Sequence, residues 1–344
     1  LVGNQCASNS ALCAPDQSPP VVIPAAATPA LRPEVGTYLN NRQFAQTMQF
    51  HTLHERQGQA PGMVDKDLSQ SSDANAWVRV VGQTNSRNGA DDMKLSDTNW
   101  TLHAGGDVMR MSDGREGSLR LGVMGAYGSS INRSSNGELN SRGTVDGYNA
   151  GVYGTWYGNR DILSGPYVDT WLMYGSFRNK VDGQGLPTES YNSSNLAASL
   201  EGGYSFLIQD DGAVRTYVAP QAQVIVSNYR ADTHTEQNGT VVSQPSDTGV
   251  TTRLGVRVHG DVKDAVGRMY PFGEVNWWHG PASQSVSFDG FVIRDDLPQD
   301  RFEFKMGLQG NLTKAVSVWG IVGFEVGAQN YSAGKAQMGV KYSW

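Results

Sequence analysis

No run in this sequence approaches the ~18 consecutive apolar residues that a membrane-crossing helix needs, and the mean hydropathy is −0.43, so a helical membrane protein is excluded. Cysteine is nearly missing. Cys6 and Cys13 are the only two, both near the start and without a Cys-x-x-Cys motif, which leaves a zinc or thiol-redox centre without ligands. Such a pair closes a small loop in an oxidising compartment or stays as two unrelated thiols. Charge is scarce too: Asp, Glu, Lys and Arg make up 17 %, against roughly 25 % in a soluble domain. The net charge of −6 argues against a nucleic-acid surface. Leu1–Asn4 lacks the basic start and apolar core of a secretory signal, so an exported protein would be read here as the C-terminal part of a longer precursor.

What the chain does hold is glycine (41 residues) and aromatic rings (8 Trp, 14 Tyr, 10 Phe), a composition that suits many β-strands. Three zones follow. Residues 1–31, with Pro15, Pro19, Pro20, Pro24 and Pro29 among Ala, Ser and Val, read as a flexible linker. Residues 32–60 read as a helical segment, one helix over about 33–58, with Pro33 at a first helical position, Glu34 favouring the N-terminus, and Gly58 with Pro61 stopping it. Val35, Tyr38, Leu39, Phe44, Met48, Phe50 and Leu53 are scattered around this helix, interleaved with Asn40, Arg42, Gln46, Gln49, His51 and Arg56. With no single apolar stripe it is not an ordinary surface helix. About 24 residues at ~1.5 Å each give about 36 Å, a bilayer plus some headgroup. It suits a tunnel of mixed polarity.

Residues 61–344 form the third zone, and from about 75 the period switches to two. Leu196, Ala198, Leu200, Tyr204 and Phe206 alternate with Ala197, Ser199, Glu201 and Gly203, and Phe302, Phe304, Met306 and Leu308 alternate with Arg301, Glu303, Lys305 and Gln309. The pattern predicts about twelve strands, at 75–87, 98–111, 117–131, 143–158, 165–181, 191–208, 213–229, 247–262, 266–280, 300–313, 316–329 and 335–344. Many exceed ten residues, long for a soluble sheet and right for tilted spanning strands. Charges fall on one alternate set: Arg79, Asp107, Arg120, Asp169, Glu201, Arg253, Arg257, Glu274, Glu303, Lys305, Glu325 and Lys341. Connections at 112–116, 159–164, 209–212, 263–265 and 314–315 are short, whereas 88–97, 132–142, 182–190, 230–246 and 281–299 are long and polar. Short turns on one side and long loops on the other mark an outer-membrane barrel. The expected fold is all-β and transmembrane: a 12-stranded antiparallel outer-membrane β-barrel with an N-terminal α-helix inside the pore. Twelve strands ~4.8 Å apart, tilted near ~40°, enclose a backbone cylinder of roughly 24 Å; inward side chains leave about 10–12 Å, the width of one helix.

Several motifs carry a family resemblance. Leu31-Arg32-Pro33-Glu34-Val35-Gly36-Thr37-Tyr38 and Leu53-His54-Glu55-Arg56 resemble the opening and close of the pore helix in autotransporter translocator domains, nearest to the adhesin (AIDA) type. Trp77-Val78-Arg79-Val80, Gly106-Asp107, Gly151-Val152-Tyr153, Tyr167-Val168-Asp169, Pro220-Gln221-Ala222, Glu274-Val275-Asn276-Trp277 and the terminal Gly339-Val340-Lys341-Tyr342-Ser343-Trp344 agree in order and spacing. The resemblance covers about residues 31–344 and departs at the end, where the family usually has Phe and this chain has Trp344. It implies type V secretion: a translocator unit in the outer membrane of a Gram-negative bacterium that exports and anchors its N-terminal passenger, leaving the linker at the cell surface. The implied partners are outer-membrane lipid, the passenger, periplasmic chaperones and the barrel-assembly machinery, which would read the alternating terminal strand Met338, Val340, Tyr342 and Trp344. The pore helix would present Tyr38, Asn41, Arg42, Met48 and His51 to the lumen.

Chemistry is thin. His51, His54, His103, His234, His259 and His279 lack metal-ligand spacing, and Gly122–Gly128 lacks the Lys-Ser/Thr ending of a phosphate loop. No metal or cofactor is expected. Some autotransporters cut themselves within an Asn-Asn pair of the pore helix; Asn40-Asn41 is the candidate here, with Glu201 and Glu274 as assisting acids, although the surrounding residues do not match that pattern. The bland reading is a polar helix face hydrogen-bonded in the lumen. The lumenal charges Arg79, Arg120, Arg253 and Arg257 against Asp107, Asp169, Glu201, Glu274 and Glu325 are expected to satisfy one another, with some holding the helix. Two other functions compete: a porin-like passive channel, opposed by the helix, and an outer-membrane hydrolase, for which only His234 and His279 lie near the outer rim, without an acidic dyad.

Overall fold

A computed structural model describes residues 31–58, 74–112, 117–159, 161–263, 268–313 and 315–344. The linker expected at 1–31, apart from Leu31, and its two cysteines lie outside the described residues. Two helices, α1 (Glu34–Thr47) and α2 (Leu53–Gln57), precede the strands. The strands are β1 (Asn75–Asn88), β2 (Lys94–Ser112), β3 (Ser118–Asn136), β4 (Leu139–Tyr157), β5 (Gly165–Gly183), β6 (Thr188–Asp210), β7 (Val214–Ala231), β8 (His234–Thr235), β9 (Val241–Ser243), β10 (Asp247–Lys263), β11 (Arg268–His279), β12 (Ser283–Phe288), β13 (Phe291–Asp296), β14 (Asp300–Asn311), β15 (Val316–Gly327) and β16 (Ser332–Ser343). Among the described residues, twelve of them close a barrel of antiparallel neighbours in the order β1 to β7, β10, β11, β14, β15, β16. The last meets the first from Asn75↔Ser343 to Ser86↔Ser332, so the ladder has no free edge.

Burial alternates along each wall strand with the sense inverted relative to a protein in water. On β5, Tyr167, Asp169, Trp171, Met173 and Phe177 are buried, while Val168, Leu172 and Tyr174 are exposed. Leu200 is 54 % exposed beside Glu201 at 1 %. Aliphatic side chains turned out and carboxylates turned in are stable only when the outer solvent is hydrocarbon.

The apolar outer band ends before the strands do. Trp100, Tyr127 and Tyr148 form one ring cluster, with centroids 4.8–5.5 Å apart. Beyond Tyr174 the outward positions of β5 are Ser176, Arg178 and Lys180. The hairpins on this side therefore rise past the membrane as strand. This corrects two expectations: the segments 132–142 and 182–190, read as long loops, are mostly strand, closed by short turns at 137–138 and 184–187. Outside the hydrocarbon both faces carry polar residues, so the period-two signal vanishes while the ladder continues.

The two connections that are truly long build a second sheet. Strands β8, β9, β12 and β13, taken from 232–246 and 280–299, pair in the order β13-β12-β9-β8 over the end of the lumen. Val242 and Val286 of this lid pack with Val35, Tyr38 and Leu39 of α1 and with Met93, Leu95, Val181 and Tyr191 of the wall. Arg87 of β1 pins the lid through a buried pair with Asp295 (2.6 Å), and Asp295 also accepts from the Ala90 amide and Gln284.

If lipid wets this wall, Leu200→Arg should cost about 2–4 kcal/mol of folding stability in vesicles, since Leu200 sits midway across the apolar band. Phe291→Arg, at the exposed tip of the lid, should cost little; denaturant titration of the two variants checks the contrast.

Candidate functional site in the barrel lumen

The sequence reading placed one continuous helix over 33–58; the structure breaks it after Thr47. Phe50 N–H donates to Thr47 carbonyl (2.9 Å), and Thr52 turns extended at φ −98° and ψ 165°. Thr52 then opens α2 with a reciprocal cap: Glu55 N–H donates to Thr52 Oγ1 (3.3 Å) and Thr52 N–H donates to Glu55 Oε2 (3.1 Å). The Thr-x-x-Glu spacing is a helix-start signal inside the stretch read as uninterrupted.

The chain enters at the loop end of the barrel. Leu31 N–H donates to Asp91 (2.9 Å), and Asn136 donates to both Asp91 and Leu31 carbonyl (2.9 Å each). Those donors hold the exposed Asp91 carboxyl below its ordinary range, the Leu31 amide foremost. From there α1 is buried on nearly every side from Glu34 to Ala45, as a helix inside a tube must be. Gly36 sits where a Cβ would run into the side chains of Leu95 and Ser134, so glycine lets the helix lie this close to β2 and β3 without displacing them.

Side chains of α1 engage one arc of the wall and the lid. Tyr38 donates to Glu236 (2.8 Å) and lies 3.0 Å from His234 Nε2. Asn41 donates to Lys180 carbonyl (3.1 Å) and accepts from Asn132 (2.6 Å), while Thr37 donates to Ser141 (2.8 Å). Arg42 donates to Pro245 and Ser285 carbonyls, approaches Asp247 at 3.5 Å and lies 5.2 Å over Tyr229. Asn40 is buried. Met48 is half-buried against the cluster of Phe44, Ala45, Val145, Phe177 and Tyr229.

Around α2 the attachments reach opposite walls. His51, just before it, stacks on Trp171 (4.8 Å, 15°). Arg56 holds Asp169 of β5 with two hydrogen bonds (2.6 and 3.1 Å), bonds Thr155 of β4 and lies 4.1 Å over Tyr153. The Leu53 amide donates to Glu201 of β6 (3.1 Å). Across the lumen, Glu55 Oε1 accepts from Lys335 of β16 (2.7 Å) and Lys305 of β14 (3.3 Å). Gln337 donates to Glu55 carbonyl, and Lys341 to Gln57 carbonyl (3.1 Å).

The remaining charges named from the sequence serve the wall. Glu274 gathers Arg257 (2.7 Å), Lys305 (3.0 Å) and Arg253 (3.3 Å), and Arg253 also reaches Glu201 (3.2 Å). Arg79 bonds His103 and Gln337. Asp107 accepts from Tyr153 (2.6 Å) and lies 3.8 Å from Arg120. Glu325 pairs with Arg301 at 3.4 Å and accepts from Tyr331. The acids proposed to assist at Asn40-Asn41 are thus elsewhere: Glu201 meets Leu53, at the α2 level, and Glu274 is held by three cations. At the C-terminus Met338, Val340, Tyr342 and Trp344 all face outward, with Tyr342 and Trp344 stacked at 5.6 Å. Glu55, Arg56, Lys305 and Lys335 are the functional contacts that sequence reasoning left out of the site. Lys305 stood in the inward set, and the capping spacing pointed to Glu55.

A lumen of this kind binds one helical segment through polar contacts. Among the described residues no group of His, Cys, Asp and Glu could hold a metal ion. Comparison with known proteins agrees with the geometry. Residues 76–323 match the family model for the autotransporter beta-domain. Over 91 % of its length the chain is 36 % identical to the uncharacterized protein YuaQ of Escherichia coli K12. Over 94 % it is 32 % identical to the autotransporter adhesin AIDA-I of Escherichia coli. It spans about a quarter of each of these relatives, 24 % and 26 %. The crystal structure of the AIDA-I transport unit from Escherichia coli superposes with a TM-score of 0.81 at 29 % identity, covering 91 % of this chain and 100 % of that one.

Arg56→Met should be strongly destabilising, by about 3–5 kcal/mol, because it leaves Asp169 buried without its cation. The double variant Arg56→Met with Asp169→Leu should recover most of the loss. Thermal unfolding followed by heat-dependent gel mobility checks both.

Proposed function

Because this chain belongs to the autotransporter β-domain family, we propose that it exports an N-terminal passenger through its own lumen and then anchors it at the cell surface. The domain is an outer-membrane β-barrel with a translocator role. The observation that carries the proposal is the path of the chain: it enters the lumen beside Asp91 at the loop end, and α2 ends beside Gln309 and Trp319 of the wall before β1 begins. A tube already filled by one helix passes an extended segment or a hairpin, not a folded passenger.

In this reading residues 1–31 are the surface linker, 32–60 the plug and 61–344 the barrel. The barrel-assembly machinery recognises the outward row Met338, Val340, Tyr342 and Trp344, and periplasmic chaperones hold the chain beforehand. The ring of cations and carboxylates around α2 keeps the plug in place. The domain acts without enzymatic chemistry, and the chain stays intact through Asn40-Asn41, whose buried side chains serve helix packing.

An epitope joined ahead of Leu1 should be cut by protease added to intact cells; an epitope sheltered in the periplasm would refute export. Deleting Glu34–Gln57 should raise single-channel conductance and lower thermal stability, whereas a porin would conduct strongly with the helices present. Mass spectrometry of the folded protein should find one uncut chain across Asn40-Asn41.

A further inference from the structure

The two helices close the lumen unequally. Polar contacts of α1 run to β3, β4 and β5 and to the lid and its flanking loops. On the other side of α1 lies open space. A cavity of about 80 Å³ separates Gln43 and Thr47 from Asp97, Asn99, Glu325 and Lys335 on the wall. A second, of about 60 Å³, shares Gln43, Thr47, Phe50 and Arg301 with the first and reaches Gly280 and Pro298, where β11 and β14 leave the barrel for the lid. Thr47 is exposed to solvent there. The first is lined mainly by polar side chains, and each is large enough for several waters. His51 lines the end of the cavity away from the lid, and its Nε2 has no protein partner.

The space ends at Glu55, which lines it together with His51. Glu55, Arg56, Gln57, Arg79, His103 and Gln337 are each no more than 4 % exposed. Here one short helix is bonded to β4, β5 and β6 on one side and to β14 and β16 on the other. We propose that α2 and the side chains bonded to it form the seal of the lumen, while the space beside α1 is an aqueous vestibule open to the cell exterior and blind toward the periplasm. This rests on the outer-membrane orientation adopted above and deepens it: the gate that a passenger must clear is five residues long, and Glu55 is its central positioning residue. That carboxylate caps α2 with one oxygen and takes both lysines with the other, so its loss frees the helix start and the far wall together.

The vestibule is tested by thiol access in the full chain, with Cys6→Ser and Cys13→Ser as background. Thr47→Cys should react with a membrane-impermeant maleimide added to intact cells, and should resist the same reagent supplied from the periplasmic side. Equal labelling from both sides, or none from outside, would overturn the blind vestibule. The seal is tested in planar bilayers. Glu55→Gln should raise single-channel conductance several-fold over the parent, approaching the variant lacking both helices. Lys335→Met, which keeps the capping box, should raise it less. Heat-modifiable gel mobility confirms that each variant folds; if Glu55→Gln does not, Lys335→Met and the labelling decide. Parental conductance in folded variants of both would overturn the seal. Failure of surface display in a parent with normal conductance would instead refute the export reading and leave the seal standing.

Discussion

A closed wall standing in hydrocarbon has only one side on which to put its charges. Each strand of the barrel must present apolar side chains outward, so every ionisable group at membrane depth is turned into a space barely wider than a helix. There, a lone carboxylate or guanidinium would carry a large desolvation penalty, and the observed answer is mutual neutralisation. Arg253 and Glu274 show it plainly: each has several partners, drawn from strands distant in sequence.

The same constraint explains the unusual helices. A helix that fills such a space meets polar side chains on all sides, so it needs polar groups all round, and its apolar residues gather only where wall or lid supplies an apolar patch. Tyr38 and Leu39 meet Tyr191, Val242 and Val286, while Arg56 meets Asp169. Polar contacts also suit a segment held in a wettable tube: each bond lost on withdrawal is replaced by water entering the tube, whereas an apolar core would have to be exposed. The lid adds a second hold from outside, through Arg42 and Tyr38 on the helix and Arg87–Asp295 on the wall.

How much of this was readable beforehand depended on where the chain contacts lipid. Within the hydrocarbon band, alternation is enforced residue by residue, so Leu196 to Phe206 or Phe302 to Leu308 announce both strand and orientation. Above the band that pressure ends, and the polar stretches at 132–136, 139–142 and 188–190 continue strands in segments that read as loop. The break between α1 and α2 had a local mark, the capping box at Thr52 and Glu55, hidden by the expectation of one helix long enough to cross the membrane. The lid sheet had none, since its strands are two to six residues long and pair across different loops.

By itself, the sequence determined the architecture: strand number, the outward and inward sets, a helix of mixed polarity ahead of the barrel, and an aromatic terminal strand. These follow from periodicity, which is a local property imposed by the solvent on either face. Only the tertiary structure decided which charge meets which. Glu55 finds Lys335 280 positions later and Arg56 finds Asp169 113 positions later because barrel closure and strand register bring them to one level of the lumen, and neither is encoded by any nearby residue.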